Sequence, residues 1–181
     1  MTPANIIHFW MNEVGRRRWF RSNASLDAEI SQRFGDTYLQ ARDGELADWE
    51  NSSEGALALV LLLDQFPRNM FRGSAEAFAT DALARGVADR AIARGFDRQV
   101  PGRLRAFLYM PFMHSENLHD QDRCVRLIGA GFGKFSSNYP FALGHRRTIA
   151  KFGRFPHRNA TLGRESTAEE VNFLRKGGSR L

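Results

Sequence analysis

Eight apolar residues in succession, Ala56 to Leu63, leave this chain few ways to fold. Ser52 or Ser53 can cap a helix that begins just before them, and a helix apolar on every side must be buried on most of them. It therefore has to be central, with other elements wrapped around it. The run is far short of the roughly 20 residues that a membrane helix needs, and it ends at Asp64. Pro67 lacks the N–H that the preceding turn would use, so the spacing predicts a helix end or kink there.

The surrounding segments also have helical spacing, and none alternates with period two long enough to make a strand. Thr2 before Pro3 reads as a helix start, with Ile6, Ile7 and Trp10 on one face up to about Val14. Ser25 is expected to cap a second helix, in which Leu26, Ile30, Phe34 and Tyr38 repeat every four residues before Gly44. Trp19 and Phe20 form an aromatic anchor between the two. After Pro67, a long helix is expected from Gly73 and Ser74 to Gly95, with Phe78, Ala82, Val87, Ala91 and Ile92 facing inward. Pro101 opens another, carrying Leu104, Phe107, Leu108 and Phe112, with Pro111 as an internal kink or break. Asp120 to Ile128 reads as helix and Gly129, Gly131 and Gly133 as a turn; Pro140 to Phe152 is helical again. Thr167 with Glu170 is a capping box before a short last helix that stops at Gly177 and Gly178. The sum is an all-α chain of about seven helices in antiparallel pairs, read as a single domain over residues 1–181.

Charge is distributed unevenly. Across 181 residues, 26 basic and 20 acidic side chains leave a net +6, and only Lys134, Lys151 and Lys176 are lysines. The basicity is thus arginine, whose planar fork suits carboxylate and phosphate. Residues 1–139 hold 17 side chains of each sign; the excess lies in residues 140–181, with nine basic and three acidic. That argues for a local anion site over a general affinity for polyanions. Cys124 is the one cysteine, so no intrachain disulfide can form, and it is expected to be a small buried hydrophobe. The N-terminal segment is too interrupted for a signal peptide, and the chain is expected to be cytoplasmic.

Three motifs carry the residues with chemistry. Phe66-Pro67-Arg68-Asn69 with Arg72-Gly73, and Phe155-Pro156-His157-Arg158-Asn159 with Gly163-Arg164, share a pattern in which an Arg-Asn pair follows a proline beside a phenylalanine. Such pairs can grip an anion or, equally, satisfy the carbonyls of a helix end. The third motif, Met113-His114-Ser115-Glu116, places an imidazole and a carboxylate close enough for acid/base work. The candidate site is therefore His114 and Glu116 for proton transfer, with Asp64, Gln65, Arg68, Asn69, Arg72, Arg154, His157, Arg158, Asn159 and Arg164 for ligand binding.

Other chemistries lack support in the residues. His114 and His119 are five apart, which points them about 140° from each other on a helix, and no clustered ligand motif is present, so no metal and no cofactor are expected. There is no nucleophile elbow and no phosphate-cradling glycine loop; Gly129, Gly131 and Gly133 follow a helix rather than a strand. The Lys151-Phe152-Gly153-Arg154-Phe155 stretch interleaves base and aromatic, but phenylalanine at helical spacing is ordinarily core, so neither nucleic acid nor membrane is expected as a partner.

Phe9-Trp10, Trp19-Phe20, Leu63-Asp64-Gln65-Phe66-Pro67-Arg68-Asn69 with Phe71-Arg72-Gly73, Phe112-Met113-His114-Ser115-Glu116, and residues 152–159 with Leu162-Gly163-Arg164 together resemble the bacterial family catalogued as domain of unknown function 924. The resemblance spans nearly the whole chain. It implies a tetratricopeptide-like, right-handed stack of helix pairs and no established activity. No period near 34 residues is visible, so the peptide-cradling role of such repeats is not carried over with the fold. Two readings stand: a pocket for a small anionic molecule, with or without turnover, and a helical scaffold for a protein or peptide. Self-association is compatible with either.

Overall fold

The structure, a computed structural model, describes residues 1–21 and 23–178. Those residues form helices and turns, with no strand among them. The α-helices are α1 (Pro3–His8), α2 (Ala24–Arg42), α3 (Ser53–Val60), α4 (Phe66–Met70), α5 (Asp81–Ala93), α6 (Gly102–Met113), α7 (Leu118–Phe132), α8 (Asn138–Phe152) and α9 (Ala168–Arg175). A π-helical turn at Phe9–Val14 extends α1, and another at Leu61–Gln65 joins α3 to α4, so eight helical runs result.

Local chemistry explains most boundaries. Thr2 caps α1 in a reciprocal pair with Asn5, and Pro3 occupies the first turn, where its missing N–H costs nothing. Thr167 and Glu170 make the capping box of α9. Several expectations need correction. The cap of α2 is Asn23, whose side chain accepts from the Ser25 and Leu26 N–H groups, and Ser25 lies inside the helix. Pro67 does not end the central run, because the π turn shifts the hydrogen-bond register just ahead of it and Pro67 then falls in the first turn of α4. The segment after Gly73 is a 3-10 turn at Ala75–Phe78, and α5 starts only at Asp81; Val87 and Ala91 are buried as expected, together with Ala84 and Ala88, while Ala82 is exposed. Gly129 and Gly131 stay helical and α7 ends at Gly133 (φ 81°). Gly129 is where Tyr139 crosses: a Cβ there would sit 3.3 Å from its ring. Pro156 follows the end of α8, which is set by Gly153 in the left-handed region (φ 68°).

The backbone clusters into two compact units, Met1–Pro111 and Phe112–Leu181, with the division falling within α6. In the first unit, α3 packs against α1 and α5, and α2 packs against α4. All residues of Ala56 to Leu63 are buried, as a helix apolar all round requires. Beside them sits an aromatic cluster in which Phe34 lies 4.7 Å from Phe9 and 5.1 Å from Phe66, and Trp10 lies 5.6 Å from Phe66. In the second unit, α7 and α8 pack on each other across a five-residue connection, 133–137, short enough to make them an antiparallel hairpin. Cys124, Ile128, Ala142, Ile149 and Phe155 are buried there. Burial pushes the Cys124 thiol up to about 12, so it stays protonated and behaves as a hydrophobe. No described helix is long and apolar enough to cross a membrane.

Candidate functional site

Five of the candidate residues lie in the first unit and seven in the second. In the first, the π turn carries Asp64 and Gln65 into the interior, where Asp64 is fully buried. One turn on, Arg68 grips Asp81 with two hydrogen bonds of 2.9 and 3.0 Å and lies 3.4 Å from Asp64. Burial works against the Arg68 charge, but the two carboxylates outweigh it and hold the guanidinium firmly protonated. Asn69 donates to the Gln65 carbonyl and accepts from Arg72, which itself closes bidentately on Asp27 at 2.7 and 2.9 Å. Gln65 donates to Asp64. Arg68 on α4 reaches Asp81 on α5, and Arg72, just past α4, reaches Asp27 on α2, so the motif ties those helices together. Asp27 and Asp81 were not singled out from the sequence; Asp27 stands one position past Leu26 on α2, and nothing in its spacing announces Arg72.

The second unit's set is built on the corner after α8. Glu116 accepts the Phe155 N–H at 2.8 Å and takes both arms of Arg164, at 2.7 and 2.9 Å. Burial pushes the Glu116 carboxyl up, yet the Arg164 and Phe155 hydrogen bonds and the charges of Arg164 and Arg158 outweigh it and leave it below the ordinary carboxylate range. The Arg158 guanidinium lies over the Phe155 ring, 4.6 Å from its centre, and is buried to 7% exposure. His145 and His157 flank the same ring, each with its ring centre 5.5 Å from that of Phe155.

His145 is the residue that sequence reasoning passed over. It sits on the buried stripe of α8 with Ala142, Thr148 and Ile149, a spacing that could have identified an interior imidazole. Its Nδ1 faces the Phe141 carbonyl at 2.9 Å, and since a carbonyl only accepts, Nδ1 carries the proton and Nε2 keeps a lone pair. Burial, helped by the charges of His114, His157 and Arg158, pushes His145 down to about 4. His157 is moved the same way by the protein around its ring and then by Arg158, although its side chain reaches solvent.

Arg154 points elsewhere in the unit. It holds Glu170 with both arms, at 2.7 and 2.8 Å, and Glu170 also receives Asn159 and the Thr167 N–H. These donors, Arg154 first, outweigh the burial of Glu170 and bring it down to about 2. Asn159 is fully buried and donates to Ser166 and Glu170, which fixes its amide the right way round, and its Oδ1 is without a hydrogen-bond partner. Among the described residues, no three His, Cys, Asp or Glu side chains gather in a way that could hold a metal ion.

An all-helical chain with an arginine-locked carboxylate and a pair of depressed imidazoles is the class of molecule thus defined. Residues 6–178 match the family model described as "Bacterial protein of unknown function (DUF924)", and the chain belongs to that family. A solved structure of a protein of unknown function from Agrobacterium tumefaciens is similar over 96% of this chain and 97% of that one, with 44% identity and a TM-score of 0.91. Among curated proteins none matches.

Proposed function

We propose that the corner around Phe155 binds a small anion, such as a carboxylate or phosphate compound. The observation that carries this reading is the set of groups gathered about one residue: Arg158 on the face of the Phe155 ring, the imidazoles of His145 and His157 flanking it, Arg164 on its carbonyl and Glu116 on its N–H. The same cations that help to drive the imidazoles down would draw an anion in. Glu116, held ionised by Arg164, anchors the corner. Proton transfer to a bound anion, the enzymatic extension of this reading, then falls to an imidazole, His114 or His157. In the first unit Arg68, Asn69 and Arg72 serve the packing of α2, α4 and α5.

A thermal-shift series with inorganic phosphate, pyrophosphate and citrate tests it. A ligand at 100 times its Kd stabilises by about 2.7 kcal/mol, a rise of several degrees in Tm, and Arg158→Gln should abolish that rise. A rise of equal size in Arg158→Gln would remove the proposal.

Phe135 and Phe141 favour a second reading. They stand at the α7–α8 turn, Phe141 at 54% exposure and Phe135 fully exposed, apolar surface that a scaffold for a protein or peptide could use. Phe135→Ser with Phe141→Ser should then abolish partner capture while leaving any anion-dependent Tm rise intact.

A further inference from the structure

The turn between α1 and α2 has a composition unlike the rest of the surface: Gly15-Arg16-Arg17-Arg18-Trp19-Phe20-Arg21. Gly15 takes a left-handed φ of 69°, and backbone bonds from Arg18 to Gly15 and from Arg21 to Arg18 wind the segment into successive turns. Arg18 is used locally, on the Val14 and Glu13 carbonyls. Arg16, Arg17 and Arg21 are exposed, and among the described residues none reaches an acceptor.

Their lack of partners has a cause. No acidic residue stands between Glu13 and Asp27, and both of those are taken from elsewhere. Arg33 closes on Glu13 at 2.6 and 3.2 Å, and Arg72 closes on Asp27 at 2.7 and 2.9 Å. Three cations are left concentrated on one turn, where elsewhere Arg42, Arg68, Arg90, Arg146 and Arg154 each have a carboxylate.

An aromatic face lies among them. Phe20 is 69% exposed, yet it is held: its ring lies nearly parallel to buried Phe107, 22° between planes and 6.3 Å between centres, with Trp19 edge-on to both. Trp19 is itself fixed by stacking on Trp10 at 9° and by donating its indole N–H to the Trp10 carbonyl. The ring is thus held near-parallel to Phe107 and offset from it, with most of its surface, π-face included, open to solvent. A side chain meant to insert into a bilayer would project outward with other apolar groups; a flat face among guanidiniums suits a planar base with phosphates on either side.

We propose that residues 15–21 form a docking surface for single-stranded nucleic acid, one base stacking on Phe20 while Arg16, Arg17 and Arg21 meet neighbouring phosphates. Recognition is by backbone charge and stacking, without base-edge readout, so it is tolerant of sequence. This surface is independent of the anion site proposed above, and it departs from the expectation of no nucleic-acid partner, which was drawn on the 151–155 stretch, where Phe155 is buried and Arg154 is occupied by Glu170.

The test is fluorescence anisotropy of labelled 12-nucleotide oligo-uridylate and oligo-deoxythymidylate against the full chain at 50 mM salt. Binding is expected to both, to weaken with salt with a log–log slope of about −2, the value for three phosphate contacts on a single strand, and to be weaker for a duplex of the same length. Phe20→Leu keeps the apolar bulk beside Phe107 but removes the π-face, and should weaken binding roughly 5- to 150-fold, the range that one base–aromatic stack spans; Phe20→Trp should restore it. Arg16→Glu with Arg17→Glu should abolish it, with the melting curve of each variant checked against the parent. No binding at 100 µM protein overturns the proposal, as does binding that Phe20→Leu leaves unchanged. Co-sedimentation with phosphatidylserine-containing vesicles, or binding of poly-glutamate as tightly as the oligonucleotides, also overturns it, since neither needs a ring to stack on.

Discussion

His145 and Glu170 show how single side chains in this chain link charge to stability. His145 is 8% exposed and sits at about 4, against an ordinary imidazole near 6.5, so the unfolded chain binds its proton more readily than the folded one. Stability from this residue is therefore complete above about pH 6.5 and is lost as pH falls towards 4, a loss on the order of 3 kcal/mol. Urea unfolding between pH 7 and 4 should show it, and His145→Phe should flatten that part of the profile. Glu170 acts in a lower window. With its carboxyl at about 2, its contribution is present above pH 4.5 and drains away below it. Glu170→Ala strands Arg154, Asn159 and the Thr167 N–H together, and a loss of about 3 kcal/mol is expected in the same unfolding assay.

Among the elements, the central helical run and the corner between α6 and α7 carry the sharpest expectations. Gly55 faces the 3-10 turn Ala47–Asn51 so closely that an added Cβ would lie 2.0 Å from the Trp49 carbonyl oxygen. Because that contact is with backbone, it can be relieved only by parting α3 from the turn, and Gly55→Ala should cost at least about 2 kcal/mol by thermal or urea unfolding. At the start of the second unit, the Gln121 amide donates to the Met113 and Ser115 carbonyls at 2.6 and 2.7 Å, fixing the corner that holds His114 and Glu116. Gln121→Glu turns those donors into acceptors facing carbonyls and is expected to destabilise by about 2 kcal/mol. These elements also show what a sequence can reveal. The buried run Ala56 to Leu63, the caps at Thr2 and Thr167, and the stripe Leu26, Ile30, Phe34 and Tyr38 follow from spacing alone. The π turn ahead of Pro67 and the helical Gly129 and Gly131 do not, because tertiary contacts decide them: the crossing of Tyr139, for one, rewards a glycine inside a helix.

At the scale of the molecule, the charge imbalance acquires an address. The basic excess of residues 140–181 resolves into arginines with tasks: Arg154 on Glu170, Arg164 on Glu116, and Arg158 over Phe155. The Arg-Asn motifs were legible as candidates, but their partners were not, since Asp81 lies 13 residues from Arg68 and Glu116 lies 48 from Arg164, separations that only the fold brings together. Nor was the difference between the two motifs readable: in the first, Arg68 and Arg72 meet carboxylates of neighbouring helices, while in the second Arg164 meets Glu116 and Arg158 lies over a ring that two imidazoles flank. The central claim, that this second cluster attracts an anion, is tested most directly by following the histidine ring resonances in a pyrophosphate titration by two-dimensional NMR at pH 6, with chloride as the control. A saturable shift of the His145 and His157 signals is expected, with the apparent pKa of each raised while the anion is bound; signals that stay unmoved to 10 mM pyrophosphate, or that move equally with chloride, would contradict it.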